Sequence, residues 1–328
     1  MVKYLRALSN PSEVIDFLKW RHRHTTHYLF QSLSNGRVRD AIWLLPSYLT
    51  SGRYFSNYLF RKSEDGFLTV DCGEFKIYIR PTDVGIGREL YFLGSHEPKT
   101  TTAYKRELRR IRKATSEPLT ILEIGANIGY FALEALSQCP ESKVYAIEAL
   151  EQNCTIFEKN IERNGYTKQV TLTQGAVTTK TGKTEIYLSD SSNHASINPK
   201  NDSTRDTQKI SCWRFEDYLN QHKISFSEIN AVRMDIEGHE ADLFNDGLNE
   251  LLKSISQEFV LNIEIHPKYI DDTNLERMIT TFESELQFVT GYQHEINGKP
   301  IKTIENLDQV QEDGLDWAEL IFRVQDTT

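Results

Sequence analysis

Apolar and polar positions change rhythm along the chain, and the changes mark out elements. Short apolar runs alternate with stretches of helical spacing: LTILEIG (Leu119 to Gly125), GYFALEALSQ, KVYAIEA, then a helix predicted from Gln152 to Asn164. Further strands are predicted at QVTLTQGAV, INAVRMDI and FVLNIEIH, with EADLFNDGLNELL helical between the last two. Strands that are apolar throughout, separated by helices, imply a parallel sheet covered on both faces. The predicted fold class is therefore α/β, a doubly wound and mostly parallel sheet.

The flanks read differently. Asn10-Pro11-Ser12-Glu13 predicts a helix start, with Asn10 as N-cap and Pro11 in the first turn. From there to Lys62 the chain is rich in Tyr, Phe, Trp and His, which predicts short helices joined by turns at Asn35-Gly36 and Ser51-Gly52. FLTVDCGEFKIYIR (Phe67 to Arg80) alternates around a glycine, as a hairpin does, and Ala103 to Ala114 predicts a charged helix. The reading is an accessory region over residues 1–65 and a main domain over 66–328. Ser189 to Thr207 is almost wholly polar and is read as a loop placed to act as a lid.

Three motifs carry chemistry. EIGANIGYF (Glu123 to Phe131) lies where a strand ends and a helix begins, the place where ligands settle in a parallel sheet. Gly125 and Gly129 let the chain turn sharply there. Glu148 ends the next strand, 19 positions after Gly129. At that spacing an acid accepts the ribose hydroxyls of an adenosine-containing cofactor, or else caps the following helix. Asn127 stands where a dinucleotide fingerprint would have its second glycine, which favours a ligand without a pyrophosphate, such as S-adenosylmethionine. RMDIEGHE (Arg233 to Glu240) gathers Asp235, Glu237 and Glu240 beside that site, as base, as orienting group, or as acids favourable to a helix N-terminus. In IEIHP, Glu264 and His266 share one face of a strand. The ordinary pKa of a histidine makes His266 a candidate general base, against a structural role.

LEIGANIGYFALEA, YAIEALEQN, Asn160 and Asn164 in KNIERNG, QGAV with a later glycine, and RMDIEGHEADLF resemble the FkbM family of S-adenosylmethionine-dependent methyltransferases over about residues 80–267. TDVGIGRELYFLGSHEP (Thr82 to Pro98) is similar to the stretch preceding the cofactor motif in a subgroup of that family. The resemblance implies a Rossmann-like class I methyltransferase. It implies that Glu123, Gly125, Ala126, Asn127 and Gly129 line the methionine end, Glu148 the ribose, and Gln174, Gly175 and Ala176 the adenine. Ala149 stands where the family commonly has proline after the ribose-binding acid. It also implies O-methylation of a sugar, glycan or glycosylated metabolite. Asp235 and His266, at successive strand ends beside the cofactor turn, are expected to face the acceptor, with Glu237 a further catalytic candidate. The competing readings are methyl esterification of a uronic-acid carboxylate and a non-catalytic cofactor-binding scaffold.

Charge and composition narrow the partners. The chain has 328 residues, 39% hydrophobic, with a net charge of −9, which disfavours nucleic acid as a partner. Residues 1–65 hold ten Lys and Arg against five Asp and Glu, a local charge of about +5 that leaves about −14 elsewhere. Together with Trp20, Tyr28, Phe30 and Trp43 this suggests contact with an anionic membrane surface or a lipid-linked acceptor. The longest early apolar run, Ala41 to Leu49, is interrupted by Pro46 and is too short to span a bilayer, and no secretory signal is read. The four cysteines are widely spaced, so neither a zinc site nor a disulfide framework is expected, no metal is called for, and a cytoplasmic location is expected.

Overall fold

A computed structural model describes residues 65–83, 85–188, 206–255, 257–293, 301–312 and 315–325, with single positions between 26 and 63. The helix predicted from Asn10, the turns at Asn35-Gly36 and Ser51-Gly52, and all of the predicted lid but Asp206 and Thr207 lie outside the described residues.

The hairpin is β1 (Leu68–Asp71) and β2 (Lys76–Ile79), paired antiparallel. Two helices follow, α1 (Ile86–Leu93) and α2 (Pro98–Ala114). The predicted alternation then unfolds as β3 (Thr120–Ile124), α3 (Tyr130–Gln138), β4 (Lys143–Glu148), α4 (Glu151–Arg163) and β5 (Val170–Gln174). Next come β6 (Ala176–Val177), β7 (Gly182–Tyr187), β8 (Thr207–Trp213) and α5 (Phe215–His222). β9 (Ile229–Met234), α6 (Glu240–Leu243), α7 (Asn249–Ser254), β10 (Val260–Ile265) and α8 (Asp272–Glu285) lead to β11 (Leu286–Gln293), β12 (Lys302–Ile304) and β13 (Ala318–Val324).

Eight strands form one sheet in the order β12-β11-β13-β10-β9-β3-β4-β5. β5, β4, β3, β9 and β10 run parallel, and β13 enters antiparallel between β10 and β11. Successive residues point to opposite faces, and both faces are dry. Ile121, Val144, Ala231 and Ile321 pack into the layer containing α2, α3 and α4. Leu122, Ile147, Val232 and Phe322 pack into the layer containing α5, α7 and α8. The expected doubly wound, Rossmann-like sheet is therefore what the chain forms.

Two predicted elements are broken, each at a glycine. QVTLTQGAV is not one strand: at Gly175 (φ 151°) it leaves the large sheet, and β6 pairs with β8 in a three-stranded sheet. A Cβ on Gly175 would stand 2.5 Å from both the Ser211 carbonyl oxygen and the Trp213 ring, so the crossing point has no room for a side chain. EADLFNDGLNELL is not one regular helix either, because Gly247 (φ 153°) interrupts it between α6 and α7, packed on Phe215.

The described residues of the N-terminal region touch this body. Tyr28 stacks on Phe92 of α1, with ring centroids 4.5 Å apart. Buried Asp40 accepts hydrogen bonds from Tyr91 Oη (2.8 Å) and Lys62 Nζ (3.1 Å).

Candidate active site

The carboxyl ends of β3, β4 and β9 open onto a cavity lined by Gly125, Asn127, Glu148, Asn153 and Asp235. Its floor is the turn after β3. Gly125 sits at φ 85°, and a Cβ there would stand 1.9 Å from the Asp235 carbonyl oxygen, so two strand ends meet through a gap that only glycine leaves. Asn127 also takes the left-handed conformation, φ 49°. That twist directs its amide N–H to Glu148 Oε2 at 2.8 Å.

Glu148 ends β4 and is the hub of the cavity. Its Oε1 accepts from the Leu150 amide (2.9 Å) and from Asn153 Nδ2 (3.3 Å). Burial pushes its pKa up, while the Leu150 and Asn127 amides pull it back. Three donors occupy three of roughly four acceptor positions on a carboxylate, which leaves capacity for a ligand hydroxyl. Asn153 Oδ1 lies beside it, buried and without a hydrogen-bond partner, in the cavity wall.

Of the expected cofactor residues, Gly125, Asn127, Glu148, Gly175 and Ala176 line this cavity together with Asp235 and Glu237. Glu123, Ala126, Gly129 and Gln174 do not. Glu123 is buried in the sheet beside Arg233, with burial driving its carboxyl up to about 8. Ala126 is enclosed in the core. Gly129 starts α3 with its Cα against the Phe157 ring, and Gln174 is exposed at the end of β5. Gly129 packs on Phe157, and Glu123 lies beneath the site beside Arg233.

On the acceptor side, β9 and β10 deliver Arg233, Asp235, Glu264 and His266. Arg233 is buried, lies 4.2 Å from the Phe131 ring centre, and pairs with Asp235 Oδ2 at 3.3 Å. Asp235 Oδ1 is buried without a hydrogen-bond partner. His266 is ringed by carboxylates: Glu240 Oε1 stands 3.0 Å from Nδ1, and Glu237 Oε2 and Glu264 Oε1 each stand 3.4 Å from Nε2. Burial alone would push its pKa down, but the bond to Glu240 and the charges of Glu240, Glu237 and Asp235 outweigh it and hold it up to about 9. In this ring His266 is a positive charge facing Glu240, Glu237 and Glu264.

Sequence reasoning missed Asn153 and His239. His239 lines the cavity with Nδ1 held by Asp242 Oδ2 at 2.9 Å and Nε2 buried without a hydrogen-bond partner. A signal existed for each: Asn153 lies one turn into the helix after the ribose acid, and His239 stands inside RMDIEGHE.

With this geometry in place, one comparison decides the family. The methyltransferase FkbM domain matches residues 123–292, more than half of the chain. The chain belongs to the FkbM methyltransferase family. The match begins at Glu123, inside the 80–267 expected from the motifs, and ends at Tyr292 within β11. No curated protein sequence matches the chain. Among solved structures, it is similar to a SAM-dependent methyltransferase from Agrobacterium tumefaciens (10% identity, 81% of this chain and 72% of that one, TM-score 0.44). It is also similar to one described as a putative SAM-dependent methyltransferase from Streptococcus mutans (9% identity, 80% and 56%, TM-score 0.44). A third is M. jannaschii TYW2 in complex with AdoMet (10% identity, 80% and 89%, TM-score 0.38).

This FkbM methyltransferase is an enzyme whose cofactor is S-adenosylmethionine. The cavity fits the group: it has room at the Gly125 turn, a carboxylate at Glu148 with spare acceptor capacity, and at Asn153 an acceptor oxygen with no donor of its own. No helix among the described residues is long and apolar enough to cross a membrane.

Proposed function

We propose that this enzyme methylates a hydroxyl of a sugar, glycan or glycosylated metabolite. Asp235 carries the reading: a carboxylate in the cavity wall, anchored through Oδ2 by Arg233, with Oδ1 free of any donor. The bound cofactor supplies a sulfonium methyl group. Gly125, Asn127 and Glu148 hold the cofactor in one orientation, so that an acceptor oxygen placed in line with the methyl reacts without further search. Asp235 Oδ1 takes the acceptor hydroxyl proton as the new bond forms. Glu237 and His266 fix the charge around it. Esterification of a uronic-acid carboxylate would need no base and would leave Asp235 Oδ1 without a role.

The test is mass spectrometry of glycans and polar lipids from cells with the gene, without it, and with an Asp235→Asn copy. The expected result is one acceptor that lacks a methyl group in both of the latter. Loss of a methyl ester from a uronic acid instead would overturn the hydroxyl reading. We place the enzyme in the cytoplasm, with residues 1–65 as the part that meets a lipid-linked acceptor at an anionic surface. Their charge of about +5 supports this, as do the exposed side chains of Phe30, Leu33 and Ile42. Protein that stays in the supernatant with anionic vesicles at low salt would refute it.

A further inference from the structure

His96, His239 and His266 stand in or near the site, and they are held differently. His266 has carboxylates at both ring nitrogens. So has His96, with Glu89 Oε2 2.5 Å from Nδ1 and Glu97 Oε1 3.6 Å from Nε2. His239 has a carboxylate at one nitrogen: Asp242 Oδ2 stands 2.9 Å from Nδ1, while Nε2 is buried with no hydrogen-bond partner among the described residues.

The backbone fixes where that nitrogen stands. Glu237 and Gly238 are both left-handed, at φ 53° and 95°, and a Cβ on Gly238 would stand 2.4 Å from the Tyr269 ring. A non-glycine residue in that region carries strain, which persists only where surrounding contacts enforce it. The Gly238 amide donates to Glu240 Oε1 at 2.8 Å, the same oxygen that faces His266 Nδ1. The turn is thereby tied to the acceptor half of the site, and it sets His239 in the cavity wall with Asp235 and Glu237.

A carboxylate can only accept, so the proton between Asp242 and His239 belongs to Nδ1. In the neutral ring Nε2 then carries the lone pair and is an acceptor. Asp235 Oδ1 and His239 Nε2 are thus two buried acceptor atoms in one wall, neither with a donor among the described residues. Leaving each unpaired is costly, and a ligand that brings a donor to each removes both costs.

We infer that His239 Nε2 accepts a hydrogen bond from a second hydroxyl of the acceptor, so that the enzyme takes polyhydroxyl acceptors and discriminates against those with a single hydroxyl. The inference rests on the hydroxyl-acceptor reading above, in which Asp235 Oδ1 takes the proton of the hydroxyl that is methylated. Asp242 is the positioning residue, because its bond to Nδ1 decides which nitrogen of His239 is bare.

Nuclear magnetic resonance of the full-length protein with isotopically labelled histidine tests the proton placement without any acceptor. The signals of His239, assigned by their loss in His239→Gln, should show a protonated Nδ1 and a bare Nε2 in the neutral ring. A neutral ring protonated at Nε2 overturns the inference. The second measurement follows the methylated product by mass spectrometry as it accumulates in cells that lack the gene and carry one variant copy. His239→Phe should slow accumulation roughly tenfold or more, as expected when a ligand hydroxyl loses its partner in a buried site. Asp242→Ala should slow it less, and His239→Gln, whose amide oxygen can stand in for Nε2, should restore most of it. Asp242 is about half exposed, so Asp242→Ala makes the comparison if His239→Phe does not fold. S-adenosylhomocysteine calorimetry should be unchanged in all three variants; weakened binding in His239→Gln would assign Nε2 to the cofactor and overturn the inference. Undiminished accumulation with His239→Phe, or an acceptor whose one hydroxyl is the one methylated, overturns it and leaves the hydroxyl reading standing. A methyl-ester product that still depends on His239 would sink the hydroxyl-transfer reading and leave Nε2 as the partner of an acceptor hydroxyl.

Discussion

The two halves of the active site are built on different plans. The cofactor half is made by neighbouring stretches of chain and largely by backbone: the Gly125 turn, the Asn127 amide and the Leu150 amide all gather on one carboxylate, Glu148. The acceptor half is made by side chains from distant segments. Glu97, Asp235, Glu264, His266 and Glu319 meet around Arg233, and a strand from the far end of the chain completes the group. Backbone donors suit a ligand that never changes. Side chains can be exchanged one at a time, so each contact of the acceptor half depends on a single residue.

The contrast can be broken most severely at the turn. Gly125→Val puts a branched Cβ into the space 1.9 Å from the Asp235 carbonyl at φ 85°. Overpacking and strain of about 1–3 kcal/mol each should remove S-adenosylhomocysteine binding and lower the denaturation midpoint. Calorimetry that finds binding intact would show that the turn is not the cofactor's seat. Glu148→Ala ranks next, with an expected loss of about 1.5–3 kcal/mol in S-adenosylhomocysteine affinity, the range for hydrogen bonds to a charged group. Asn153→Ala should cost about 1 kcal/mol in the same titration if its Oδ1 meets the cofactor, and nothing measurable if it does not.

The smallest effect belongs to the acceptor half. His266 is held up to about 9, above its ordinary value of 6.5, so the stability it contributes is complete below about 6.5 and is lost as pH rises through about 9. Denaturant midpoints measured between these limits should fall with pH, and the fall should shrink in His266→Gln. An unchanged slope would mean that the carboxylate ring does not hold the proton.

The same division explains what the sequence disclosed. The cofactor half was legible because its residues follow one another: a strand, two glycines and an acid 19 positions on form a pattern in one dimension. The sheet from β3 to β10 was legible for the same reason, its apolar runs being uninterrupted. Glu97, Glu264 and Glu319 are spread over more than two hundred residues, and only the register of β10 with β13 makes the last two neighbours. The surroundings of His266 were not legible either, because an ordinary pKa assumes water, and three carboxylates stand where water would be. The breaks at Gly175 and Gly247 were invisible because a glycine inside a periodic run does not announce which way the chain will leave.

The position of β13 sets an order of events during synthesis. β10 and β11 leave the ribosome before it, yet they are neighbours only through it, since it lies between them and pairs with both. Until residue 324 is made, the sheet has an open slot with two unpaired edges and no Glu319. The growing polypeptide therefore holds every strand that carries the cofactor turn before it holds the strand that joins β10 to β11, and unpaired edges of that kind are open to wrong pairing.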